Sequence, residues 1–306
     1  MLTLLCPYIK HFYDHMPIFT YYLVKRFILA IFLSSSLLLL AKSPTPSLNL
    51  QAYIINLDRS KDRYAYVEKP VSELGFSLKR FSAIDGRTLT APQIEKILDP
   101  AFFNYTGTFA DLGTIGCSLS HIGAWQDFVK SDYDYALIFE DDVSFNPKVL
   151  REVVLSLLAK PASWDLVNFQ VGHRGFAVMT RTLPKGHHMA QYLTKITNAG
   201  GYLLKRSTAI KLLKKSLPIK MPIDHYFLRS WEHGFKVSGV EPRLVFQTHG
   251  TSDINKPVMF MASKGGIRPS FWQFICHETY KLQTYAFWFF DNFQHYIIDL
   301  WVTVWL

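Results

Sequence analysis

Cysteine is scarce in this chain, with three residues, Cys6, Cys117 and Cys276, in 306. They are odd in number, far apart and in no CxxC pair. That excludes a disulfide framework and a cysteine-paired structural zinc site, and it favours a reducing compartment. Charged residues are also few, 19 % against 49 % hydrophobic, so a sizeable core is expected and wholesale disorder is not. No GxGxxG and no Walker loop occur, which removes the dinucleotide-binding and P-loop classes. Zinc-finger spacing, an RNA-binding signature and a long basic arm are missing as well, so nucleic acid ranks lowest among partners. No internal repeat is present.

The charge that is present is one-sided. A net charge of +9 and a pI near 9.3 favour acidic partners such as anionic lipid or phosphorylated small molecules. Aromatic residues reach 15 % and crowd the two ends of the chain.

Composition divides the chain into three. Residues 1–47 form a membrane-associated or signal-like segment and linker. Within them residues 27–41 read FILAIFLSSSLLLLA behind Lys25-Arg26, and SPTPS at 43–47 is a linker. A signal peptide, a short anchor and an interfacial segment stay open as readings; so does a mis-started frame with Met16 as the true start. The run falls short of the roughly 20 apolar residues of a membrane span. Residues 48–265 read as the main domain. Residues 266–306 are an aromatic amphipathic tail, with charges that break any clean span and a composition suited to a bilayer interface. One sequon, Asn104-Tyr105-Thr106, matters only in a secreted eukaryotic chain.

Inside the main domain, apolar runs alternate with helical periodicity. Strands are predicted at 52–57, 78–84, 135–139, 165–171 and 200–204. Helices are predicted over 60–74 with Pro70 shortening or kinking it, over 114–129 with Thr114 as N-cap, from Pro147 to Ala159, and over 207–215. Alternation of this kind predicts an α/β fold with a mostly parallel sheet and its site at the carboxyl ends of the strands.

The feature that carries chemistry is Glu140-Asp141-Asp142, which follows directly on the apolar run YALIF. Carboxylates at the exit of a buried strand are costly unless a positive group meets them. A divalent cation bridging a nucleotide diphosphate would do so, and hard oxygen ligands suit Mn²⁺ or Mg²⁺. The bland alternative is an acidic turn that caps the following helix.

Four blocks narrow the choice. They are AYIINLDRSKDR at 52–63, FSAIDGRTL at 81–89, GTIGCSLSHIGAW at 113–125 running on to ALIFEDDVSF at 136–145, and GGYLLKRSTAIKLL at 200–213 followed by PIDHYF at 222–227 and EPRLVFQ at 241–247. In order and spacing they resemble glycosyltransferase family 25, the bacterial lipooligosaccharide galactosyltransferase type that collagen galactosyltransferases also show. The resemblance covers about residues 50–255 and neither end. It implies a GT-A-like nucleotide-binding fold and transfer of a sugar, galactose from UDP-galactose with inversion, to a lipooligosaccharide or lipopolysaccharide core or another glycan acceptor.

By the same resemblance Glu140 and Asp141 lie at the donor diphosphate, with Asp142 a direct metal ligand. His249 stands where GT-A enzymes often supply a late ligand. Asn56 and Arg59 follow the first strand, where an Asn reads a pyrimidine edge and an Arg pairs with phosphate; the alternative is a turn cap and a surface Arg. Asp85 holds the ribose or uracil, or makes its turn. Ser120 and His121 take a donor role by motif match, where a lone helical His is otherwise structural. Cys117 reads as small buried packing. Asp224, at a helix start, is the candidate general base; helix capping and acceptor binding compete with that. Lys205, Arg206, Lys211, Lys214 and Lys215 read as a solvated face that can also meet anionic lipid. Thr114 departs from the family, which usually has Glu there, and Gly201 stands where Ala is common.

The expected partners are a nucleotide-sugar donor, a glycan or glycolipid acceptor and a membrane surface. The expected place is the cytoplasmic face of the inner membrane, or the secretory lumen if the N-terminus is a eukaryotic signal. A metal-dependent phosphate hydrolase and a catalytically degenerate membrane-bound partner are the rival readings. The hydrolase lacks further convergent His and Asp residues. A glycoside hydrolase needs two carboxylates and no metal.

Overall fold

The computed structural model describes residues 49–172, 176–248 and 271–305. Residues 1–48, and with them the apolar run and linker, lie outside the described residues, as does His249.

An eight-stranded sheet forms the centre, in the order β2-β1-β3-β8-β5-β9-β7-β6. The first pair is β1 (Leu50–Asn56) and β2 (Ser77–Ser82), joined by helix α1 (Lys61–Ser72). The chain then passes through α2 (Ala91–Ile97), α3 (Phe102–Thr106) and α4 (Leu112–Lys130) into β3 (Tyr135–Glu140). After β4 (Val143–Phe145) and α5 (Pro147–Leu158) come β5 (Leu166–Asn168), β6 (Ala177–Thr182), β7 (His188–Tyr192) and β8 (Gly201–Lys205). The remainder is α6 (Arg206–Leu213), α7 (Ile223–Phe227), α8 (Ser230–His233), β9 (Val237–Glu241), β10 (Val245–Gln247) and α9 (Phe271–Trp305).

β1 pairs parallel with β2 and β3, and β5 pairs parallel with β9. β8 runs antiparallel between β3 and β5, and β7 antiparallel between β9 and β6. Following these pairings, every strand of the sheet except β7 and β8 points the same way. The fold is of the expected α/β class with most strands pointing one way, and the carboxyl ends of β1 and β3 lie side by side at one edge.

Alternation along β1 explains the layers. Tyr53 and Ile55 face a core that includes Trp125 and Phe128 of α4, Leu212 of α6 and Phe227 of α7. Leu50, Ala52 and Ile54 face the opposite core, with Val67 and Val71 of α1 and Leu150, Val153 and Leu157 of α5. Each such aliphatic side chain, fully buried, contributes about 1.5–3 kcal/mol, so helices cover both faces.

Some element ends differ from the sequence expectation. Helix α4 starts earlier than Thr114: Asp111 is its N-cap and accepts from Thr114 N at 2.8 Å, while Thr114 Oγ1 donates to Asp111 at 2.8 Å. A carboxylate caps better than a Thr because it accepts both bonds at once. Pro70 lies in the last turn of helix α1, where it has no N–H to give to the carbonyl four residues back, and the helix stops two residues later at Ser72. The fourth predicted strand, 165–171, shortens to Leu166–Asn168.

The described part of the 266–306 tail packs on the domain. In α9, Cys276, Tyr280, Thr284, Trp288 and Asn292 are buried at four-residue spacing. Trp288 Nε1 donates to Tyr192 O at 2.8 Å, and Ser230 Oγ donates to Asp291 at 2.5 Å. Buried Arg229 lies between the rings of Trp231 and Tyr280 and donates to Thr284 Oγ1 at 3.1 Å. Leu282, Tyr285, Phe289 and Phe293 are exposed. Among the described residues, no helix is long and apolar enough to cross a membrane.

Candidate functional site

The parallel register of β1 and β3 assembles the site. Ile55 is opposite Glu140, so Asn56 comes alongside Asp141 one residue further on. Asn56 is buried, and its amide is fully engaged. Nδ2 donates to Asp141 Oδ2 at 2.6 Å and to Ser60 O at 2.9 Å, and Oδ1 accepts from Arg80 at 2.8 and 3.0 Å. The residue expected to read a base instead spends its amide on holding the acidic run and the start of α1.

Arg59 forms an ion pair with Asp85. Asp85 is also the N-cap of the 3₁₀ turn Gly86–Thr88, accepting from Arg87 N and Arg87 Nε at 3.1 Å each. Partial burial pushes its carboxyl up, but the Arg87 hydrogen bonds and the two arginine charges outweigh that and hold it below the usual carboxylate range. The turn seats against α4 through two glycines. A Cβ on Gly86 would fall 1.8 Å from Leu112 O, and one on Gly116 would fall 2.6 Å from Gly86 N. Both motif glycines are therefore required by close backbone approach. Ser120 completes this seam. It is buried, accepts from Ile84 N at 2.8 Å and donates to Gly116 O at 2.6 Å, so its hydroxyl is occupied in joining the turn to the helix.

The three consecutive carboxylates have three different surroundings. Glu140 turns toward α4, where Oε1 meets His121 Nε2 at 3.2 Å and the Cys117 thiol at 3.7 Å. Asp141 is buried between Asn56 and Arg63, whose guanidinium pairs with it. Burial dominates and raises its pKa in spite of both partners. Asp142 accepts from Gln247 Nε2 at 3.0 Å on Oδ2, which also lies 3.3 Å from Arg63. Its Oδ1 is buried and has no hydrogen-bond partner among the described residues. Burial, then the neighbouring Glu140 charge, raise the Asp142 pKa. Arg63 closes the acidic run from α1; it stands in the AYIINLDRSKDR block, and its facing of the strand end, visible only once α1 folds back over β1, was the signal missed.

Asp224 lies near the acidic run, since both act on the Cys117 thiol. Its Oδ2 accepts from Asn198 N at 2.9 Å and its Oδ1 from His225 N at 2.9 Å. It therefore anchors the loop before β8, where Asn198 has a φ of +80°. Desolvation, then the charges of Glu140, Asp224 and Asp142, push the thiol of half-buried Cys117 up, which puts Asp224 in one field with the acidic run. Sequence reasoning also passed over Lys195 and His225. Burial pulls the ammonium of Lys195 and the imidazolium of His225 down, with Asp224 acting the other way on both.

Two sets of ligands invite a metal test. Cys117, His121 and Glu140 place one ligand atom each within 4.8 Å of one another, but their mutual hydrogen bonds already satisfy them. Asp142 is different. A buried carboxylate oxygen without a donor costs roughly 1–3 kcal/mol or more, and a hard divalent cation is the group that this oxygen fits. Glu140 adds negative charge beside it.

Comparison with known proteins gives the family. Residues 49–227 match the family model described as glycosyltransferase family 25 (LPS biosynthesis protein). Procollagen galactosyltransferase 1 of Danio rerio is 27 % identical over 230 residues, 66 % of this chain and 37 % of that one. A glycosyltransferase 25 family member of Aedes aegypti is 30 % identical over 226 residues, 66 % of this chain and 36 % of the other. A Rattus norvegicus relative at 26 % identity, covering 66 % of this chain and 39 % of its own, is named a probable inactive family member 3. The chain thus spans a little over a third of the length of these curated relatives. Among solved structures, a glycosyltransferase involved in glycosylation of the major capsid of PBCV-1 overlaps 66 % of this chain and 95 % of its own, at 12 % identity and a TM-score of 0.37.

Proposed function

Because the chain belongs to glycosyltransferase family 25, we propose that it transfers galactose from UDP-galactose, with inversion, to a glycan acceptor such as a lipooligosaccharide or lipopolysaccharide core. The observation that carries the reading is the buried, partnerless Asp142 Oδ1 beside Glu140 at the end of β3. Asp142, with Glu140 adding negative charge beside it and His249 as a further ligand, would hold Mn²⁺ or Mg²⁺, a cation that neutralises charge on a departing nucleoside diphosphate. Arg63 keeps the acidic run folded and partly neutral. Arg59 and Asp85 form the mouth of the donor cleft, and their ion pair is a ready exchange partner for a phosphate or a ribose hydroxyl. Asp224 receives the acceptor hydroxyl's proton. Its two backbone hydrogen bonds fix its direction and leave further lone pairs open.

The test is a panel of sugar nucleotides with and without Mn²⁺, read as nucleotide release with and without acceptor. Release that rises with acceptor and metal supports transfer. Equal release without acceptor indicates a phosphate hydrolase. Donor binding without release would place this chain with the relatives named inactive.

We place the reaction at a membrane surface, on the cytoplasmic face of the inner membrane or, for a secreted eukaryotic chain, in the secretory lumen. Two features support it: the apolar run at 27–41, and the exposed stripe of Leu282, Tyr285, Phe289 and Phe293 on α9. Such a face suits the headgroup boundary of a bilayer. Flotation with anionic vesicles should carry the full chain, and a Leu282→Ser, Phe289→Ser, Phe293→Ser variant should float less. Equal flotation of the two would remove α9 from the membrane contact.

A further inference from the structure

Trp125, Tyr202 and His121 are fully buried, and each brings a polar atom into the core between α4, β8 and β3. Their hydrogen bonds can run in one direction only. An indole N–H donates and never accepts, so Trp125 Nε1 gives its proton to the Tyr202 oxygen, 2.9 Å away. The Tyr202 hydroxyl must then donate in its turn, and His121 Nδ1 lies 2.8 Å from it. A histidine that accepts on Nδ1 carries its proton on Nε2, and that N–H points at Glu140 Oε1. The Cys117 thiol donates to the same oxygen.

The opposite order carries two penalties. With the proton on Nδ1, the Tyr202 hydroxyl would be left buried without an acceptor. The lone pair of Nε2 would also face the lone pair of Glu140 Oε1 across 3.2 Å. A doubly protonated ring strands the Tyr202 hydroxyl in the same way. Each buried, unmade bond costs roughly 1–3 kcal/mol, so one tautomer prevails.

We propose that Trp125, Tyr202 and His121 are a positioning relay that fixes the Nε2-protonated tautomer of His121, holds Glu140 Oε1 inward and thereby presents the second Glu140 oxygen to the donor. The proposal rests on the reading of the acidic run as the donor site. Phe227 strengthens it. Its ring stacks on Tyr202 at 4.7 Å and meets Trp125 edge-on at 6.2 Å. Phe227 is on α7, the helix that carries Asp224, so the relay ties the Glu140 side of the cleft to the Asp224 side.

The experiment is side-chain ¹⁵N NMR of the full chain at neutral pH, together with kinetics of His121→Gln and His121→Leu. Wild type should show His121 neutral and protonated on Nε2 alone, and Tyr202→Phe should lose that single state. His121→Leu should lower kcat about 10- to 100-fold, the usual worth of a group that orients a ligand. His121→Gln, which can still offer an N–H to Glu140, should recover most of the loss. An Nδ1-protonated or cationic His121 in wild type would overturn the relay, as would equal rates for the two His121 variants. If His121→Leu does not fold, the wild-type and Tyr202→Phe spectra decide alone. A locked tautomer in a protein that transfers no sugar would overturn the proposed function and leave the relay standing.

Discussion

Glu140 and Asp142 stand two residues apart in one acidic run, yet the protein treats them oppositely. Glu140 Oε1 receives a ring N–H and a thiol, backed by a buried chain of rings. Asp142 Oδ1 is buried and, among the described residues, receives nothing. The difference shows that an acidic cluster is not a uniform patch of charge. Where the fold completes a carboxylate, that group is a fixed part of the frame. Where the fold leaves one incomplete in a buried place, that group is open to a cation or a water.

The largest expected effect lies across the cleft. Asp224 is completed by two backbone N–H groups, as Glu140 is by side chains, and the comparison alone would make it a frame residue. Asp224→Asn keeps an oxygen for one of its two backbone donors and removes the proposed base. Transfer should fall roughly 10²–10⁴-fold with donor affinity near wild type, measured as kcat and acceptor KM at saturating donor. A near-normal kcat would return Asp224 to the frame.

Asp142→Asn is next. If the incomplete oxygen waits for a cation, this variant should lose several kcal/mol of transition-state stabilisation, about 10²–10³-fold in rate, and the Mn²⁺-induced rise in Tm. Its metal-free stability should not fall. The sign follows from the raised pKa: the folded state holds the proton more tightly than the unfolded chain, so wild-type stability declines as pH rises from the ordinary aspartate value through the raised one. The Asn variant should lack that decline. Melting curves across acid pH, with EDTA and with Mn²⁺, give both answers, and an Asn variant clearly less stable than wild type in EDTA would break the comparison.

A smaller effect is expected at Arg63, which serves Asp141 and Asp142 together. Arg63→Gln should cost about 2–4 kcal/mol by urea unfolding, since it strands the buried Asp141 charge. Adding Asp141→Asn should restore much of that loss. Independent, additive losses would mean that Arg63 does not neutralise the run.

The smallest effect should come from Asp165, a completed carboxylate remote from the cleft. Burial raises its pKa, but the Lys236 backbone N–H and Lys205 outweigh this and hold it low. Its contribution is therefore present above the ordinary aspartate pKa and is lost as pH falls through the depressed one. Asp165→Asn should cost about 1–2 kcal/mol at neutral pH and converge with wild type in acid, with activity unchanged.

By itself the sequence determined the alternation of strands and helices, the helix starting at Pro147, the strand that delivers Glu140-Asp141-Asp142 and the family resemblance. Each of these is written in local periodicity, in turn residues or in contiguous blocks. It also pointed to the residues around the cleft, because motif blocks lie at strand ends. What Asn56, Ser120 and His121 do there was not legible, since each gives polar atoms to partners 24 to 85 positions away in the chain. Nor was the choice of Arg63 as the cation on the acidic run, the capping of α4 by Asp111 in place of Thr114, or the docking of α9 through Trp288 on Tyr192 O. Those follow from strand register and helix packing. A side chain's hydrogen-bond partners are set by which atoms come within about 3 Å, and only the folded chain brings them there.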